Sequence, residues 1–216
     1  MEMHNSMRSL LSKMNLAATI KIISKKNALR ELGWFNSYDK KQSIDGNSLP
    51  IPWFTYSSIF FLDERLNNNL KVFEYGSGNS TLWFSDRVNF INSIEHDNHW
   101  YKTVTKSLKR SNVKVIYVPL SDVTKYINSC NQTNLKYDII IIDGRHRVEC
   151  IKSSIESLSI TGIIILDNSN RENYTEAFTF LKETDFRYIN FWGMCPGASI
   201  LSCTTIFYRN NNCLSI

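Results

Sequence analysis

No apolar run in this 216-residue chain approaches the ~20 residues that a bilayer-spanning helix requires. The opening stretch, MEMHNSMRSLLSKMN, is charged and broken by polar residues, unlike a secretory signal. Five cysteines (Cys130, Cys150, Cys195, Cys203, Cys213) form no C-x-x-C pair, and their number is odd. That argues against a zinc site and against a disulfide framework, and fits free thiols in a reducing, cytoplasmic setting. Internal repeats and low-complexity tracts are absent, and no basic pattern is interleaved with aromatics, so no nucleic-acid partner is expected.

What is present suits one soluble domain with a sizeable core: 43% of residues are hydrophobic and 21% charged. The net charge of +5 is uneven. Met1 to Arg30 hold six basic residues and one acid, so this arm carries the whole excess. It reads as a solvated helix face or as a surface for an anionic partner.

Residues 7–30 read as a helix, with Leu10, Met14, Ala17 or Ala18, and Ile22 on one stripe. Residues 38–52 form a loop, with turn chemistry at Asp45-Gly46 and two prolines, and WFTYSSIFFLDERL is a second helix. Residues 1–66 therefore form a helical cap beside a core of residues 67–216. In that core, strands and helices alternate. KVFEY, FINSIEH, VKVIYVPL, the wholly apolar YDIIIID, and GIIILD are strands. Helices follow over 97–110 (Trp100, Val104 and Leu108 inward), 147–158 and 172–183. Two closing strand-like runs, FRYINFW and ILSCTTIFYR, have no helix between them. The expected fold is α/β, a Rossmann-like, mostly parallel seven-stranded sheet with a C-terminal antiparallel hairpin and a helical N-terminal cap.

KVFEYGSGNSTLWF passes from strand through Gly76-Ser77-Gly78 into a helix, the geometry that cradles a nucleotide. Thr81 stands where a dinucleotide fingerprint has its third glycine. Acids end four strands: Glu74, Glu95, Asp143 and Asp167. Glu95 lies 19 residues after Gly76, where an acid reaches a ribose. Glu74 discriminates between ligands, because a carboxylate beside a pyrophosphate repels it. S-adenosylmethionine has no phosphate and carries an ammonium and a sulfonium.

The pattern FEYGSGNST with SIEHD resembles the class I S-adenosylmethionine-dependent methyltransferases, over about Lys71 to Arg209. The resemblance implies that Glu74, Gly76 and Gly78 face the methionine end, that Glu95 takes the ribose, that His96 and Asp97 flank the adenine, and that Asp143 also binds the cofactor. It also makes residues 67–216 the S-adenosylmethionine-binding domain. IIIIDGRHR and IIILDNSNR place Asp143, Asp167 and Asn168 on the same sheet edge, three oxygen ligands suited to magnesium. This is similar to metal-dependent O-methyltransferases with a D-G-x-H motif. That similarity implies a metal on those three residues and catalysis by Asp143 and His146, the imidazole removing a hydroxyl proton. Other readings stay open. The acids can cap loops, Arg145, Arg147 and Arg171 can pair with them in place of a metal, or the arginines can bind an anionic acceptor. Trp53 and Tyr56 either stack on a sugar or pack in the core.

The expected activity is methyl transfer to a hydroxyl of a small molecule or glycan. The competing classes are an NAD(P)-dependent oxidoreductase and a non-catalytic binding module of the same fold. The sequence does not fix the oligomeric state.

Overall fold

The computed structural model describes residues 16–24 and 26–216. Among the described residues four helices precede the first strand: α1 (Leu16–Ile23), α2 (Ala28–Glu31), α3 (Trp34–Lys40) and α4 (Tyr56–Asp63). The expected continuous helix over 7–30 is interrupted where it is described. It stops at Ile23, and Asn27 opens a new turn by accepting the Arg30 amide on its side chain. Leu10 and Met14 lie outside the described residues, and Ile22 is exposed.

The core then alternates: β1 (Lys71–Tyr75), α5 (Asn79–Ser85), β2 (Phe90–Glu95), α6 (Asn98–Ser107), β3 (Val113–Tyr117), α7 (Val123–Asn128), β4 (Tyr137–Ile142), α8 (Arg147–Ser154), β5 (Leu158–Leu166), α9 (Thr175–Glu183), β6 (Arg187–Gly193) and β7 (Ser202–Tyr208). The seven strands lie in the order β3-β2-β1-β4-β5-β7-β6. The first five are parallel, and β7 runs antiparallel to both β5 and β6. The α/β sheet and its terminal hairpin are as expected. Helix α7 was not anticipated, and α6 is shorter than 97–110 because Asp97 caps its start and Leu108, with extended backbone, ends it.

Ile139 to Ile142 need no polar alternation, because each face of the sheet is covered. On one face Phe73, Tyr75, Ile140, Ile142, Ile164 and Leu166 pack with Val148, Ile151, Ala177 and Leu181 of α8 and α9. On the other, Val72, Ile139, Ile141, Ile163 and Ile165 meet Trp83 and Phe84 of α5. Ile51, Phe54, Ile59 and Leu62 share this second core. Helix α4 is thus part of a layer of the sheet domain. It is fastened there by the Tyr56 amide, which donates to the Met194 carbonyl at 3.0 Å, and by the Thr55 amide, which donates to Thr204 Oγ1 at 3.1 Å. Among the described residues no helix is long and apolar enough to cross a membrane.

Candidate active site

β1 lies where the strand order reverses, with β2 on one side and β4 on the other, so a crevice opens beyond its carboxyl end. Gly76 turns the chain there with φ +95°. A Cβ at Gly76 would stand 3.0 Å from the Asp143 carbonyl oxygen, so the turn and the β4 end touch backbone to backbone. Gly78 has another role. Its φ of 176° is open to any residue, and a Cβ there would meet nothing nearer than Ser80 Oγ at 4.0 Å. It borders a cavity of about 590 Å³, and a side chain would occupy part of that space. The volume suits a small organic ligand.

Gly76, Ser77, Gly78, Glu95, Asp97 and Trp100 form the sheet side of the cavity, and Asp143 and Arg145 extend it toward β4. Lys41, Gln42, Ser43 and Trp53 close it from the N-terminal segment. The Asn79 side-chain amide holds that wall in place by donating to the Ser43 carbonyl at 2.7 Å.

Glu95 is buried and its carboxylate organises the loops. Oε2 accepts from the Ser77 amide and hydroxyl, both at 3.1 Å, and Oε1 from the His96 and Asp97 amides at 2.8 and 2.9 Å. His96 Nδ1 stands 3.0 Å from Oε1 but is not aligned to hydrogen-bond. Asp97 accepts the Trp100 amide at 2.7 Å, and that bond lowers its carboxyl from the ordinary range. The Trp100 indole donates to the Ser77 carbonyl at 2.8 Å, bridging the two loops over the crevice.

Glu74 lies elsewhere. It shares the Val72 face of β1, is 0% exposed and does not line the cavity. Ser80 and Thr81 of α5 each donate to it at 2.5 Å, and Ser93 of β2 at 2.8 Å. Burial pushes its carboxyl up to about 7, against the pull of these three hydroxyls. The acid beside the glycine turn is instead Asp143. Its Oδ1 accepts from Arg147 Nη2 at 2.8 Å, while burial raises its carboxyl and the guanidinium pulls it back.

Arg147 organises this edge. Besides Asp143 Oδ1, it donates to the Gly144 carbonyl at 3.0 Å, the Asp143 carbonyl at 3.0 Å and the Asp167 carbonyl at 2.5 Å. One guanidinium thereby clasps the ends of β4 and β5. The expected magnesium set is not formed. Asp143 holds Arg147, Asp167 accepts Thr204 Oγ1 at 2.8 Å, and Asn168 accepts from Arg171 at 2.9 Å while donating toward Ser202 at 3.3 Å. Among the described residues no three His, Cys, Asp or Glu side chains converge as a metal site. The donors face protein groups, so they do not fit the ion, and a cation from the chain occupies the place assigned to it. Burial and the Asp143 charge raise the Asp167 carboxyl to about 8.

His146 opens α8 with φ +49° and is exposed. It borders a second depression beside the main cavity. Trp53 is 48% exposed at the cavity wall, so it does not pack in the core, whereas Tyr56 is buried. Trp100 was expected inward, yet it is 42% exposed and only Val104 of α6 is buried. Sequence reasoning missed Trp100, Ser77, Asn79 and the 41–43 wall as site residues. For Trp100 there was a signal, its place one turn after the acid that ends β2. For the wall there was none.

No family model matches the chain, and no curated protein matches it in sequence. Solved structures match its fold. A Staphylococcus aureus protein assigned as a caffeoyl-CoA O-methyltransferase aligns at TM-score 0.58 and 15% identity, over 92% of this chain and 99% of its own. Precorrin-6y C5,15-methyltransferase from Geobacter metallireducens aligns at TM-score 0.56 and 16% identity, over 71% and 87%. Precorrin-8w decarboxylase from Methanobacterium thermoautotrophicum aligns at TM-score 0.55 and 16% identity, over 76% and 94%. The architecture is the class I methyltransferase fold.

Proposed function

We propose that the protein is an S-adenosylmethionine-dependent methyltransferase acting on a hydroxyl of a small molecule or glycan. The observation that carries this reading is the cavity at the Gly76–Gly78 turn. It is bordered by the carboxylates of Glu95, Asp97 and Asp143 and by the Trp100 indole, in the class I fold. S-adenosylmethionine, when bound, supplies a methyl on a positively charged sulfur, which an acceptor oxygen takes while the sulfur keeps the bonding pair and becomes a neutral thioether.

The chain's own groups have these tasks. Glu95, whose acceptor positions are held by the Ser77 amide and hydroxyl and the His96 and Asp97 amides, takes a ribose hydroxyl in exchange for the Ser77 hydroxyl, and His96, Asp97 and Trp100 border the adenine. Gly76 and Gly78 let the backbone approach the ligand. Asp143 offers Oδ2, which forms no hydrogen bond among the described residues, to the ammonium and sulfonium end. His146 takes the acceptor proton from the adjoining depression. In-line geometry between oxygen, methyl and sulfur is the remaining requirement.

The test is transfer of radiolabelled methyl from S-adenosylmethionine to a panel of hydroxylated small molecules and glycans. His146→Ala lowers kcat about a hundredfold and leaves S-adenosylhomocysteine affinity within about twofold by calorimetry. Unchanged kcat in that variant removes His146 from the proton transfer.

A further inference from the structure

The second depression, about 350 Å³, adjoins the main cavity through Gly144, Arg145 and Arg147, which border both. A group bound in it lies beside the ligand of the first. Its wall is cationic. Three guanidiniums, Arg145, Arg147 and Arg171, face one carboxylate, Glu149. Arg147 is already neutralised by Asp143 at 2.8 Å. Neither Arg145 nor Arg171 forms an ion pair among the described residues, and both are exposed at the opening. Arg171 is directed by its 2.9 Å bond to Asn168 Oδ1, with Asn173 as a further polar neighbour. Residues of the first turn of α8 border this space, so the positive end of its dipole lies near it. Arg171 also acts on the Asp143 charge, but without a direct ion pair, and two guanidiniums bordering one recess match a planar or tetrahedral oxyanion, which they can hold by paired N–H bonds.

We propose that the methyl acceptor carries an anionic oxygen group, a phosphate or a carboxylate, which docks on Arg145 and Arg171 and holds the neighbouring hydroxyl toward the cofactor cavity. The proposal rests on the methyltransferase reading for the word acceptor, while the anion site itself stands on the recess and its cations. Neutral acceptors lack the group this wall binds. The anion sets KM and orientation, and His146 at the same rim handles the proton.

The experiment is an NMR titration of the full chain with inorganic phosphate and, separately, with acetate, following the Arg145 and Arg171 Nε–H resonances with and without S-adenosylhomocysteine. We expect saturable shifts of both signals by at least one ion, and the tighter ion identifies the acceptor's anionic group. Arg171→Gln weakens that binding about tenfold, Arg171→Lys retains most of it, and both leave S-adenosylhomocysteine affinity unchanged. Absence of saturable shifts with either ion overturns the proposal, as does binding that survives combined Arg145→Gln and Arg171→Gln substitution. Should S-adenosylhomocysteine itself fail to bind the wild type, the methyltransferase reading falls, and the ion titration of the free protein still decides the anion site.

Discussion

Gly76 and Gly78 stand two residues apart and answer different needs, and substitution separates them. At Gly76 the left-handed φ and the 3.0 Å approach to the β4 end both oppose a side chain. Gly76→Ala therefore costs the fold roughly 1–3 kcal/mol and lowers Tm by about 2–12 °C. At Gly78 the backbone accepts any residue and the only space taken is the cavity. Gly78→Val leaves Tm within about 2 °C and weakens S-adenosylhomocysteine binding at least tenfold by calorimetry, an order-of-magnitude estimate for occupying a ligand's place. Loss of Tm without loss of affinity would reverse these roles. Glu95 ties both loops, so Glu95→Ala weakens the same ligand about tenfold or more. Unchanged affinity would remove it from the site.

At the scale of elements, the buried carboxyls of β1 and β5 give the fold a pH dependence of defined sign. Glu74 joins β1 to α5 and β2 through three hydroxyls, and burial holds it at about 7 against an ordinary 4.5, with the Asp143 charge adding a smaller push. Between those values the unfolded chain releases a proton that the folded protein keeps. Stability therefore falls as pH rises from about 4.5 to about 7, and this contribution is level above that. Asp167, at about 8 against 3.8, acts in the same direction over a wider range. Urea unfolding at pH 5, 6, 7 and 8 should show stability decreasing with pH. Glu74→Gln, a neutral isostere of the protonated acid, should flatten the dependence below pH 7 while leaving the part due to Asp167. A slope equal to wild type in Glu74→Gln would mean that Glu74 is ionised in the fold.

Across the whole molecule, the alternation from Lys71 to Leu166 was legible, α7 apart, because the other strands and helices there carry strong, distinct apolar periods. The hairpin was legible from two strand-like runs with no helix between them. The strand-end acids pointed to the right edge of the sheet, and Glu95 lines the cavity there. The direction of Glu74 was also encoded: as residue 74 it shares parity with buried Val72, and a strand's alternation turns both to the same face. Counting glycine-turn spacing alone concealed this. The magnesium expectation gave way because an arginine four residues after Asp143 returns to it across one helical turn, a pairing the sequence admitted as an alternative. The 41–43 wall was not legible, since tertiary bonds such as Asn79 to the Ser43 carbonyl, across 36 residues, place it at the cavity. Helix α4 looked like part of a separate cap because the loops around it break the alternation, although its apolar side chains complete the second core.

The proposed function requires that the crevice at this sheet edge receive a phosphate-free, positively charged nucleoside ligand. Calorimetric titration of the full chain with S-adenosylmethionine, and in parallel with NAD, tests this most directly. Stoichiometric binding of S-adenosylmethionine, weakened at least tenfold by Gly78→Val, with no heat from NAD, is the predicted result. Binding of NAD in preference, or of neither ligand, would contradict it.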